Sequence, residues 1–348
     1  MSEDECPWLS QISRLLIEKS LLIDDLGLLN GKIGISIYFF QLYRKTANNQ
    51  YKQVAEKLVE DVYDRIASSN RIIDFENGLA GIAWGIEYLV QFGFIEADTD
   101  EALSDLDDKI FQYLIDHQSL SLGLRNGILG YGFYCISRLK GEKVNQFTSR
   151  KYLLLRLLMH LVDQLYKIVE EKTEALREPI TFSITWDLPW LLYFLSELHR
   201  LNIYNKKVQI ILSQLELIVK STYPIKDTHK LFLLLSIERL IQQTSAKNWG
   251  QHLKVLQLSI NCDKIPYEFS DKNVTPIHGY AGFGSLLKLL SVNNHGHGKL
   301  SSILFNKINN STLWQEIKEK KDFSSKDLGI LQGLSGIAYS TLILSKTG

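Results

Sequence analysis

The 348-residue chain carries 39 Lys and Arg against 39 Asp and Glu, so its formal net charge at pH 7 is zero. That balance removes the electrostatic argument for nucleic acid or an anionic membrane as partner, and 45% hydrophobic residues exclude a disordered chain. Three widely spaced cysteines, Cys6, Cys135 and Cys262, exclude a disulfide framework and fit a reducing compartment.

The start, Met1 to Pro7, is acidic and lacks the basic, then apolar, pattern of a signal peptide. No apolar run reaches the roughly 18 residues needed to span a bilayer. A cytoplasmic protein without a transmembrane segment is expected. In chain order, residues 8–23 are predicted as an amphipathic helix, ended by Asp24-Asp25-Leu26-Gly27. Gly31 opens an apolar helix from Ile33 to Tyr43. Val54 to Ile66 is amphipathic, and Gly78 opens an apolar helix from Ile82 to Phe92. The alternation continues through 103–115 and 127–139, 152–170 and 188–201, 208–219 and 230–241, 249–258 and the helix opening at Gly279. It closes with Leu300 to Ile317, read as one helix, and 333–344.

That makes seven amphipathic–apolar pairs, and five of the apolar partners open on Gly-x-x-Gly. From Gly31 to Gly78 is 47 residues, from Gly78 to Gly127 is 49, and from Gly279 to Gly333 is 54. The interval between Gly127 and Gly279 holds two more units without glycines, whose marker positions are expected at Asp187 and His229. A period of about 50 with two helices per unit marks a helical repeat array. Inner helices apolar on most faces predict one domain, residues 1–348: an all-α, double-layered α,α-toroid of seven helical hairpins. An open solenoid is the alternative.

The residue before each marker is polar: Asn30, Asn77, Asn126, His278 and Gln332. Such side chains suit helix capping, and glycine permits positive φ and close backbone approach. Seven helix starts around one axis would ring a cavity with dipole ends and polar groups.

The phrases Asn77-Gly78-Leu79-Ala80-Gly81-Ile82-Ala83 and Gln332-Gly333-Leu334-Ser335-Gly336-Ile337-Ala338, with seven units in register over essentially the whole chain, resemble the lanthionine synthetase C (LanC-like) family. That resemblance implies an α,α-toroid. It also implies ribosomal peptide maturation, in which a zinc-activated cysteine thiol adds to a dehydrated serine or threonine; the metal is held by two cysteines and a histidine. The family's Cys-His-Gly is here Ile277-His278-Gly279, keeping one histidine. Its fifth-unit cysteine, two residues before the marker, falls on Asp227, and its fourth-unit His-Gly on Trp186-Asp187. An acidic residue four before the second marker remains as Asp74.

By resemblance His278 and Asp74 are the catalytic candidates, and Trp186, Asp187, Asp227 and His229 the cavity candidates. His278 is the one matching family ligand, so no metal is expected, and zinc would need an unusual set from His278, Asp227 and Cys262. The implied function is a zinc-free, degenerate cyclase that binds a precursor peptide, a dehydratase or another maturation enzyme. The alternatives are an active thioether cyclase with that atypical site and a toroid sugar hydrolase using paired acids. His295 and His297, in Asn-Asn-His-Gly-His-Gly, are read as a flexible connection rather than a metal clip.

Overall fold

The structure, a computed structural model, describes residues 7–66, 72–117, 119–141, 148–171, 176–244, 247–291 and 298–345. Cys6, His295 and His297 lie outside them. The main helices, in chain order, are α1 (Pro7–Lys19), α2 (Lys32–Thr46), α3 (Asn49–Ile66), α4 (Leu79–Gln91), α5 (Ser104–Asp116), α6 (Ile128–Gly141) and α7 (Ser149–Glu171). They continue as α8 (Asp187–Arg200), α9 (Asn205–Ser221), α10 (Asp227–Gln243), α11 (Gly250–Ser259), α12 (Tyr280–Leu290), α13 (Gly298–Asn309) and α14 (Leu334–Leu344).

Odd and even helices differ in how they bury themselves. α3 buries Ala55, Leu58, Val62 and Ile66, at helical spacing, and exposes Glu56, Lys57, Glu60 and Asp64. α2 instead buries every residue from Lys32 to Phe40. Burial of each large apolar side chain is worth about 1.5–3 kcal/mol, so a helix apolar all round is stable only when enclosed. The even helices are accordingly the inner layer. Each touches the next, α2 to α4, α6, α8, α10, α12 and α14, and α14 touches α2. The ring is closed, which excludes the open solenoid; the fold is a double-layered α,α-toroid. Each odd helix from α3 to α13 packs outside the even helix before it, and α1 packs on α14.

The seam between the two ends of the chain is stapled from outside. The Trp8 and Trp314 rings stack at 4.0 Å, and Trp8 Nε1–H donates to Asn309 Oδ1 at 2.9 Å. Lys32, buried in the inner layer, reaches Asp61 of α3 at 2.5 Å and the Leu21 carbonyl at 2.9 Å.

Three expectations need correction. Leu300 to Ile317 is two helices, because the Asp271 carboxylate takes the Thr312 amide and hydroxyl at 2.8 and 2.6 Å and turns the chain before Leu313–Glu319. The marker glycines do not use positive φ: Gly31 sits at φ −122°, ψ −167° and Gly279 at φ −134°, ψ −169°, extended backbone open to any residue. What they provide is space. A Cβ on Gly31 would lie against the Gly27 amide nitrogen, and one on Gly279 inside the Asn273 carbonyl. Finally, the polar residues before the markers do not cap. The Lys32, Leu79, Ile128 and Tyr280 amides donate instead to the carbonyls of Asp25, Ile72, Ser121 and Asn273, seven residues back.

Candidate functional site

The loops entering the even helices lie side by side and form one face of the toroid, its mouth. They are joined by backbone hydrogen bonds between residues two before each marker. Glu76 N–H donates to Arg125 O at 2.9 Å, Leu29 N–H to Glu76 O at 2.8 Å, Leu331 N–H to Leu29 O at 3.0 Å, and Ile277 N–H to Leu331 O at 3.0 Å. The next donor to Ile277 O is Ile184, at 2.9 Å, which belongs to the fourth unit; the fifth unit is bypassed. The reason is chemical. α10 starts after Lys226, so its linking position is Pro224, which has no N–H.

This register corrects two marker positions. The residues before α8 and α10 are Trp186 and Lys226, so Asp187 lies one residue and His229 three residues past the marker. The family's fourth-unit histidine position then falls on Thr185, and its fifth-unit cysteine position on Pro224, not Asp227.

The candidate residues do not converge on one reactive point. Asp74 Oδ1 accepts the Asn77 and Gly78 amides, both at 2.8 Å, and so closes its own loop. Trp186 is buried, with Nε1–H donating to Leu176 O at 3.2 Å. Asp227 is buried and paired with Lys230 at 3.0 Å. Asp187, half-buried, has its carboxyl pushed up to about 6 by burial, opposed by the Leu124 N–H it accepts. That bond joins the third unit to the fourth. His278 is exposed, and its Nδ1 lies 2.9 Å from Phe182 O, so Nδ1 carries the proton in that bond.

The opening of the fifth unit is held by two carboxylates that the motifs do not reveal. Glu268 accepts the Asp227 amide at 2.7 Å and the Thr228 amide at 3.1 Å; these are free amides of the first turn of α10. Glu178 accepts the Ile225 amide at 3.1 Å and sits 2.6 Å from His229 Nδ1. His229 is wholly buried; burial lowers its pKa against the opposing pull of Glu178, and its Nε2 has no partner. An unpaired buried polar atom costs about 1–3 kcal/mol. Between His229 and the sixth unit lies Phe182, buried, with its ring 5.5 Å from Phe269, 5.4 Å from Phe283 and 6.0 Å from His229.

The sequence reading also passed over an aromatic set deeper in the ring. Trp84, Phe133 and Tyr339 each stand six residues after a marker glycine, a periodic signal visible in retrospect. Trp84 stacks on Tyr88 at 5.5 Å, and Tyr88 hydrogen-bonds both Gln41, at 2.8 Å, and Tyr339.

As a zinc site this constellation does not fit. Ile277 and Pro224 stand where the family pattern has thiolates, and Asp227 is engaged by Lys230. Cys262 is exposed, lining a groove between α10 and α11 with Leu234, Glu238 and Ser291. Among the described residues, no three of His, Cys, Asp and Glu are placed to share a metal. Cys135 is a wholly buried core residue. No helix among the described residues is long and apolar enough to cross a membrane.

Residues 23–174 match the family model described as lanthionine synthetase C-like protein. No curated protein matches the chain. Nine chains of solved structures do. One, described as nisin cyclase, superposes with a TM-score of 0.69 at 13% identity, over 96% of this chain and 93% of that one. At that identity the likeness establishes the shared fold.

Proposed function

We propose that this chain, whose residues 23–174 match the lanthionine synthetase C-like model, is a zinc-free member of that family acting as a peptide- or partner-binding module in maturation of a ribosomally made peptide. The observation carrying this reading is the fate of the ligand positions. The toroid is closed and five of its seven inner helices keep their glycine openings, while Pro224 and Ile277 stand where the family resemblance expects the two thiolates that would stabilise zinc. Neither side chain has a lone pair to donate, so His278 is left without metal-binding partners of its own kind. The mouth retains backbone donors, acceptors and apolar pockets suited to holding peptide. A precursor peptide is the expected ligand, a dehydratase or other cytoplasmic maturation enzyme the expected partner.

Metal analysis of protein purified without chelators tests the reading: the expected content is well below one zinc per chain, unchanged in His278→Ala. Near-stoichiometric zinc lost in that variant would overturn it. The second reading, an active thioether cyclase built from His278, Asp227 and Cys262, has against it that burial, Asp263 and Asp227 all push the Cys262 thiol up, away from the thiolate the chemistry needs. That reading requires ring formation on a co-expressed dehydrated precursor, abolished by Cys262→Ser.

A further inference from the structure

The segment from Leu176 to Trp186 crosses the mouth over the opening of the fifth unit and takes the place that unit leaves vacant. Its bonds are of the kind a separate peptide would make. Ile184 N–H donates to Ile277 O at 2.9 Å, and Phe182 O accepts from the next residue's side chain, His278 Nδ1, at 2.9 Å. One residue pair of the mouth thus supplies an acceptor and a donor to alternate residues of the segment. The Phe182 ring fills a pocket of Phe269, Phe283 and His229. Glu178 pins the start of the segment to Ile225 N–H and His229 Nδ1–H. Trp190 Nε1–H holds its far end through Ile184 O at 2.5 Å.

Two features distinguish an occupant from a wall. The other loops of the mouth are joined in unit order, whereas this one reaches past the fifth unit to the sixth, a contact available only because Pro224 donates nothing. In addition, the pocket floor is unsatisfied: His229 Nε2 is buried without a partner under an apolar ring. A permanent wall would leave that atom unpaired in every state, while an exchangeable occupant allows a donor-bearing peptide to pair it.

We propose that residues 176–186 are an intramolecular pseudo-ligand. The segment occupies a peptide-binding cleft formed by Ile277, His278 and the Phe269–Phe283–His229 pocket, and the cleft takes a peptide anchored by an aromatic side chain when the segment is displaced. This deepens the peptide-binding reading above and rests on it.

The test uses the full chain and a fluorescein-labelled peptide copying residues 177–186. The Phe182→Ala chain, with an unchanged helical circular dichroism spectrum, is expected to bind this probe at least tenfold more tightly than wild type. It should also bind it at least tenfold more tightly than a probe carrying the same Phe182→Ala change. Equal binding of the two probes, or none by the folded variant, overturns the proposal. Hydrogen exchange on the wild-type chain decides the matter if the variant does not fold. The Ile184 amide is expected to exchange at least a hundredfold faster than the α12 amides, because the segment opens alone; exchange at the same rate would make it a permanent wall. Neither measurement depends on metal content, so failure here leaves the zinc-free reading to its own test.

Discussion

At the residue scale, the molecule turns on what a few side chains can and cannot donate. Pro224 withholds an amide, and the mouth reorganises around that gap; Ile277 withholds a thiolate, and His278 turns its Nδ1 to a backbone carbonyl. Asp187 shows the same logic in its ionisation. Its carboxyl titrates near 6 in the folded chain against an ordinary 3.8, so the folded state holds the proton more tightly. The resulting stability is present below about pH 4 and is lost as the pH rises through about 6, an effect of about 3 kcal/mol. Asp187→Asn keeps an oxygen for the Leu124 amide without the buried charge. Urea denaturation should find the variant about 3 kcal/mol more stable than wild type at pH 7 and little different at pH 4. A gap independent of pH would refute this account. His278 and Ile277 were legible in the sequence because a glycine in the motif fixes their register. Phe182, Glu178 and Glu268 were not, since irregular segments carry no periodicity and their partners are distant in sequence.

At the element scale, helices of the two layers differ in what their ends demand. The mouth ends are satisfied by carbonyls seven residues upstream, which is why glycine recurs there. Near the opposite ends, α4, α5 and α6 share a buried ionic cluster. Arg138, wholly buried, bonds Glu87 at 2.5 Å and Asp107 at 2.9 Å, and Arg150 reaches the same Asp107 at 2.8 Å. Removing the cation leaves the buried Glu87 without a cation and Asp107 with Arg150 alone, so Arg138→Met should lower the unfolding free energy by about 3–5 kcal/mol. Replacing the whole group with apolar residues should largely restore it. Thermal denaturation of the single and combined variants is the check, and a loss below about 1 kcal/mol for Arg138→Met would show the charges are solvated. The helix pairs were readable from periodicity. Their boundaries shifted where side chains from other units intervened, as Asp271 does between α13 and Leu313–Glu319.

At the scale of the whole molecule, closure is the property that matters, because each inner helix is enclosed only while its neighbours stay in place. The seam where α14 meets α1 and α2 is the one junction without a continuous chain across it. Trp8 is the external staple, and Trp8→Ala should cost about 3 kcal/mol through lost burial and stacking. Unfolding should nonetheless remain a single transition by both tryptophan fluorescence and circular dichroism. Two separated transitions would mean that the ring opens before it melts.

The sequence by itself determined the helical class and the seven-fold two-layer repeat, while closure of the ring against an open solenoid was decided by the contact of α14 with α2. Hydrophobic periodicity and glycine spacing are local records of which faces must be buried and where backbones must touch. Only the tertiary structure decided the register of the two units that lack glycines, and with it which residues stand where the family resemblance expects ligands. In the fifth unit the helix start is set by carboxylates from elsewhere, Glu178 and Glu268, rather than by a local turn. The crossing of the mouth by residues 176–186 was equally beyond reach of the sequence. It depends on a carbonyl at Ile277 being left without a donor by Pro224, a residue of the preceding unit more than fifty positions away along the chain.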